Sequence, residues 1–234
     1  MNSRQNLDLS AYLVVGSENT KGRPVTQIIK EAVVAGFTCV QIRSKFASAR
    51  ELITLTAQAA RVIAEVGSPE AVTLLVDDRL DVILAARKQQ IKVDGIHVGQ
   101  SDIPVEVCRE YLGKNAIIGL SARTNELFEY IKTVDTALID YFGAGPLHET
   151  ATKPDCGLDR DGKVKTRSFA DFEKLAKLSP IPVVVGGGVK HNDIPQLAQT
   201  GVDGFFVVSA VSEAENPGLE ATRLVESWKS AKIS

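Results

Sequence analysis

Leu138-Ile139-Asp140-Tyr141-Phe142 runs directly into Gly143-Ala144-Gly145-Pro146-Leu147-His148-Glu149-Thr150-Ala151-Thr152-Lys153. The first five residues read as a strand, and the two glycines and the proline end it. Thr150, Thr152 and Lys153 then place two hydroxyls and an ammonium within four residues. Glycine lets a ligand approach the backbone, and Thr and Lys partner phosphate well. The stretch therefore reads as a strand that opens into a phosphate-holding loop.

The same unit recurs on both sides of it. Strand-like runs are expected at Ala11–Val15, Thr38–Ile42, Val72–Val76, Gly95–Val98, Ala116–Leu120, Leu138–Phe142, Pro182–Val185 and Gly204–Val208. Helical patterns alternate with them at Val25–Ala35, Ser48–Val66, Arg79–Lys88, Pro104–Leu112, Asn125–Thr133, Ser168–Lys177, Asn192–Thr200 and Leu219–Lys229. Continuous apolar strands between amphipathic helices indicate a parallel sheet covered by helices. Eight such units predict a single-domain (β/α)₈ TIM barrel over residues 11–234, preceded by a polar N-terminal extension, residues 1–10. An open doubly wound sheet is the alternative. The long polar loop from Glu149 to Arg167 is expected to close over a ligand.

The 234 residues are 44% hydrophobic and 24% charged, enough for a sizeable core and unlike a disordered chain. A formal charge of −2 gives no basic surface for nucleic acid or membrane, so anion binding must be local. No apolar run approaches the ~20 residues of a membrane helix, and Met1–Ser10 lacks the apolar centre of a signal peptide. Cys39, Cys108 and Cys156 are few and widely spaced, which fits a reducing cytoplasm.

In such a barrel the active site forms where strands end. Gln41, Arg43 and Lys45 alternate at the end of the second strand and share one direction. Asp77 and Asp78 follow the third strand, Asp102 the fourth and Ser121 the fifth. Gly186-Gly187-Gly188 follows the seventh strand, and Ser209 and Ala210 the eighth. Each has a plainer role available. Arg43 and Lys45 suit an exposed surface, the aspartates suit helix caps, and a glycine run suits a loop. Their coincidence favours a site. Asp78 and Asp102 follow successive strands and are hard oxygen ligands suited to Mg²⁺, which commonly accompanies substrate phosphates. Arg43, Lys45 and Lys153 are placed to flank those phosphates, and the glycine loop with the residues after the eighth strand is a second phosphate region. Cys39 shares parity with Gln41 and reads as a buried thiol. His97 reads as a satisfied barrel residue, and nothing calls for nucleophilic catalysis.

These motifs resemble thiamine phosphate synthase. The resemblance runs from about Ala11 to Ala214. It rests on V-Q-I-R-S-K at Val40–Lys45, V-D-D-R at Val76–Arg79, G-I-H-V-G-Q-S-D at Gly95–Asp102 and G-L-S-A-R-T at Gly119–Thr124. It continues through G-A-G-P-L-H-E-T-A-T-K at Gly143–Lys153, G-G-G-V at Gly186–Val189 and D-G-F-F-V-V-S-A-V at Asp203–Val211. It implies a Mg²⁺-dependent transferase that joins a hydroxymethylpyrimidine diphosphate to a thiazole phosphate and releases pyrophosphate. By that similarity Gln41, Arg43, Lys45, Asp77, Ser121 and Lys153 bind the pyrimidine diphosphate, with Arg43, Lys45, Lys153 and Ser121 assisting the chemistry. Thr150, Ala151, Thr152, Gly188, Val208 and Ser209 match the thiazole phosphate site, and Asp78 and Asp102 the metal ligands. Asp77 stands where the family usually has Asn, Ser44 where Glu is common, Arg123 where His is frequent and His148 where an aromatic is usual. A thiazole tautomerase, a non-catalytic precursor-binding barrel and a phosphosugar isomerase are the competing readings. The sequence is compatible with a homo-oligomer and with native fusion to another thiamine-pathway enzyme.

Overall fold

The fold is that of a computed structural model, which describes residues 7–67, 70–122, 126–150 and 164–233. Eight parallel strands close into a barrel: β1 (Ala11–Val15), β2 (Cys39–Ile42), β3 (Thr73–Asp77), β4 (Gly95–Val98), β5 (Ile117–Ser121), β6 (Tyr141–Ala144), β7 (Val183–Val185) and β8 (Gly204–Val207). Closure is made by β1 against β8, with Tyr12 opposite Phe206. That pairing, which joins the two ends of the sequence, excludes the open sheet. The helices between them are α1 (Val25–Ala35), α2 (Ala49–Val66), α3 (Leu80–Lys88), α4 (Val105–Leu112), α5 (Leu127–Thr133), α6 (Phe169–Leu178) and α7 (Ile194–Gln199). A short α8 (Ser209–Ser212), absent from the sequence expectation, precedes α9 (Pro217–Ile233).

Strand parity divides the core in two. Residues facing outward, such as Leu13, Val40, Ile42, Val76 and Ile96, pack against the helices. On α2 the buried positions are Leu52, Thr56, Ala59 and Ile63, a helical spacing that turns one stripe to the sheet. Each buried Leu or Ile contributes roughly 1.5–3 kcal/mol. Ser48 begins α2 by accepting from the Glu51 amide, and Ser168 begins α6 by accepting from Asp171 in the same way. Inward residues form a smaller cluster of Leu9, Tyr12, Val14, Cys39, Leu75, Ile117, Tyr141 and Val184. Cys39 is therefore the buried interior thiol that parity predicts.

The lower rim repeats one device. The carboxylates of Asp94, Asp140 and Asp203, just before β4, β6 and β8, accept from the amides of Leu74, Ile118 and Val183 on the preceding odd strands, at 2.7, 2.8 and 2.8 Å. Before β2, the Thr38 hydroxyl oxygen does the same for Ala11 at 3.3 Å. The amides of Ala11, Leu74, Ile118 and Val183 are thus satisfied by a side chain of the next strand's entry, once for each odd strand and the even strand after it.

The sixth strand is displaced from expectation, starting at Tyr141 and including Gly143 and Ala144. Asp140 is held below it by Arg109 at 2.8 Å. Gly143 belongs to the strand through its pairing with Ser121 and Val184, and a Cβ there would lie 3.0 Å from the His97 ring. Asp77 is likewise the last residue of β3, not a residue beyond it.

Candidate active site

The upper rim gathers polar side chains from opposite walls. Gln41 and Asp77 lie inside the mouth at 4% and 8% exposure. Gln41 donates through Nε2 to one Asp77 oxygen, and Arg43 Nε meets the other at 3.0 Å. The Asp77 carboxylate thus fixes both the flip of the Gln41 amide and the direction of the Arg43 guanidinium. It accounts for Asp at a position where the resemblance leads one to expect Asn: its charge is paired within the protein. Arg79 is the N-cap residue of α3 and makes no side-chain capping hydrogen bond of its own.

Below this pair lies a chain of hydrogen bonds. Tyr12 Oη bonds Gln41 Oε1 and lies 2.9 Å from Tyr141 Oη. Tyr141 Oη is 2.9 Å from His97 Nδ1, and His97 Nε2 is 3.0 Å from Ser121 Oγ. Burial raises the phenols of Tyr12 and Tyr141 well above their ordinary range, so both keep their protons. Absent side chains make the room: a Cβ on Gly119 would sit 2.1 Å from the Tyr141 ring, and one on Gly186 would sit 2.2 Å from Phe206. His97 is the satisfied barrel residue expected from sequence. Tyr12 and Tyr141 were not singled out there, although inward parity with Gln41 and Ser121 was the signal that marks them.

A cavity of about 590 Å³ opens beside this network. Arg43, Lys45, Thr150, Gly188 and Ser209 line it together. Gly187 and Gly188 adopt φ of +81° and +73°, left-handed values that favour glycine. A Cβ on Gly188 would lie 2.8 Å from that of His148. The opposite wall includes Glu18, which sequence reading passed over although it follows Gly16 and Ser17 on a 3-10 turn. Its carboxylate accepts from the Ser44 hydroxyl and, at 2.8 Å, from the Lys45 amide. Partial burial works against its ionisation, but the Ser44 and backbone hydrogen bonds prevail and hold it below the usual range. Glu18 therefore clasps the loop that carries Lys45. Across the cavity the His148 imidazole meets Asp193 at 3.0 Å.

Asp78 and Asp102 stand at the ends of adjacent strands. Asp78 has a left-handed φ of +57° and donates its amide to the His97 carbonyl at 2.9 Å. Asp102 accepts from the Gly99 amide at 2.8 Å. Among the described residues no group of three or more His, Cys, Asp or Glu gathers as a complete metal cage. Two carboxylates at neighbouring rims suit an ion that takes its remaining ligands from substrate phosphates and water, as Mg²⁺ does. Gln41, Asp77, Asp78, Asp102, Ser121 and Val208 are not in the lining of this cavity. Arg43 joins the cavity to Asp77 and Gln41, and Val208 immediately precedes Ser209 at the start of α8. Ala151, Thr152, Lys153, Cys156 and Arg123, with most of the expected lid, lie outside the described residues. The loop's far end is anchored by the Arg167 amide on the Pro146 carbonyl at 2.8 Å.

Known proteins share both sequence and shape with this chain. It is 38% identical over 218 residues to the thiamine-phosphate synthase of Corynebacterium efficiens, covering 93% of this chain and 94% of that one. It is 36% identical to that of Corynebacterium jeikeium, covering 96% and 97%. A thiamine phosphate pyrophosphorylase structure from Pyrococcus furiosus superposes with a TM-score of 0.77 at 27% identity, covering 98% of each chain. A 3-hexulose-6-phosphate synthase from Salmonella typhimurium, at 14% identity and TM-score 0.68, shares the fold, with 95% of this chain and 100% of that chain covered. A model of the family described as thiamine monophosphate synthase matches residues 11–211, and the chain belongs to that family.

Proposed function

We propose that the protein is a thiamine phosphate synthase, joining a hydroxymethylpyrimidine diphosphate to a thiazole phosphate with release of pyrophosphate. The observation that carries the reading is the cavity that sets Arg43 and Lys45 against Thr150, Gly188 and Ser209 in a member of this family. Arg43 and Lys45, with Lys153, hold the diphosphate and stabilise charge as it departs; Gln41, Asp77 and Ser121 hold the pyrimidine. Thr150, Ala151, Thr152, Gly188, Val208 and Ser209 hold the thiazole phosphate. Asp78 and Asp102 would hold Mg²⁺, which when bound supplies positive charge at the diphosphate.

The bond from the pyrimidine methylene to the diphosphate oxygen breaks first, leaving a pyrimidine-stabilised cation. The thiazole nitrogen then donates its electron pair to that carbon. This sequence needs no protein nucleophile, and none of the groups described is placed as one. It needs fixed positive charge at the leaving group and two substrates held in contact. Loss of one such charge contact lowers turnover about 10²–10³-fold.

The proposed setting is cytoplasmic. The described cysteines, Cys39 and Cys108, are buried free thiols, and no helix among the described residues is long and apolar enough to cross a membrane. Incubating the protein with both phosphorylated precursors and Mg²⁺ tests the activity through the appearance of pyrophosphate and thiamine phosphate. Binding of both substrates without product would refute it.

A further inference from the structure

With a neutral imidazole at His97, the hydrogen bonds inside the barrel have one consistent direction. The Asp77 carboxylate can only accept, so Gln41 turns its NH₂ to it and its carbonyl to Tyr12. Tyr12 gives its single proton to that carbonyl. In the 2.9 Å contact between the phenols, Tyr141 must then be the donor. Its proton spent, Tyr141 accepts from His97, which fixes the imidazole proton on Nδ1. A neutral imidazole with Nδ1–H is an acceptor at Nε2, so the Ser121 hydroxyl donates inward to it at 3.0 Å. Ser121 ends β5 at the same parity as Gly119 and Ile117, facing the barrel mouth. Only its oxygen lone pairs remain to meet a ligand there.

We propose that this one-way chain makes Ser121 a hydrogen-bond acceptor toward the substrate ring, so that the site selects a heterocycle presenting an N–H at that edge over one presenting a carbonyl. Tyr12, Tyr141 and His97 are positioning residues that set this polarity without touching the ring. Asp77 is its source: a carboxylate imposes the direction, whereas an Asn could sit either way round. The inference rests on the functional reading above for the identity of the ring.

The test is calorimetric titration at pH 8 with the aminopyrimidine diphosphate and with its deaminated 4-oxo counterpart, in the presence of Mg²⁺. The expected preference for the amino ring is roughly ten- to a hundredfold, the effect of opposing two acceptors in a partly buried site. Tyr141→Phe cuts the chain and lets the imidazole move its proton to Nε2. The preference should then fall to within about threefold, by tighter binding of the oxo ring, whereas a merely structural role would weaken both ligands alike and leave the ratio unchanged. Should Tyr141→Phe fail to fold, Asp77→Asn serves as the second variant, again with a reduced ratio expected. ¹⁵N spectra of the wild-type His97 ring read the polarity without any ligand, and protonation at Nε2 alone would overturn it. Equal affinity of the wild type for both rings would overturn this inference and leave the functional reading standing. Binding of neither ring would overturn the functional reading, and with it the ring assigned to Ser121.

Discussion

Arg43→Ala should destabilise the fold as well as slow it. The guanidinium and its Asp77 partner are 14% and 8% exposed, and their contact is 3.0 Å. Removing one member of a buried pair costs about 3–5 kcal/mol, because the other charge stays in place with its desolvation uncompensated. Gln41 continues to donate to Asp77, which puts the expected cost near the lower end, about 3 kcal/mol. For a domain of this size that is a fall of about 6–12 °C in melting temperature. Lys45 lies on the exposed side of the same rim, so Lys45→Ala should cost under about 1 kcal/mol. Both variants lose turnover, but only one loses stability. The cycle is completed with Asp77→Asn, in whose background Arg43→Ala should cost about 1–2 kcal/mol less. Urea unfolding of the wild type, the three single variants and the double variant reads every term. Equal stability of the two cation variants, or no coupling between Arg43 and Asp77, would refute the view that the ion pair is structural as well as functional.

Asp102→Ala should raise the Mg²⁺ concentration needed for turnover while thiazole phosphate affinity stays within about threefold; loss of both together would mean the two regions are not separate. Gly188→Ala forces a side chain onto a φ of +73° and to 2.8 Å from the His148 Cβ. Thiazole phosphate binding should weaken at least about tenfold, and an unchanged dissociation constant would remove Gly188 from the phosphate site. Alkaline stability follows from burial, which raises the Tyr12 and Tyr141 phenols and pushes the Cys108 thiol up to about 11. These groups stay protonated in the fold after the unfolded chain has ionised, so the unfolded state binds fewer protons and stability falls as pH rises. Urea midpoints should decline from pH ~9 upward, where an ordinary thiol and then a phenol titrate, and Tyr141→Phe should flatten the decline; a midpoint that rises over this range would contradict the sign.

The strands were legible because both faces of each are buried, which writes them as continuous apolar runs. β1, α1 and β4 fall at their expected bounds. Closure itself was not local information, since it rests on Ala11–Leu13 pairing with Phe205–Val207 at the other end of the sequence. Motif residues at the strand ends were legible because their polarity interrupts those runs. Tyr12 and Tyr141 carried no such mark: an aromatic in an apolar strand looks the same whether its hydroxyl is idle or links two sides of a site. Glu18 was hidden for the opposite reason. An exposed glutamate in a turn is unremarkable until folding brings the Lys45 loop across to it. α8 is four residues long, too short to show a helical period.

The clasps beneath the barrel each join an odd strand to the even strand after it: Ala11 with Thr38, Leu74 with Asp94, Ile118 with Asp140 and Val183 with Asp203. Among the described residues none of these clasps links an even strand to the odd strand that follows. The barrel is thereby organised as four two-strand cassettes, each carrying its own fastening at the end remote from the ligands. A recombination point placed within α2, α4 or α6 would leave every fastening whole, whereas one placed within α1, α3, α5 or α7 would split a pair. Exchange of cassettes between related barrels can therefore renew the ligand-bearing rim while the joinery below is inherited intact.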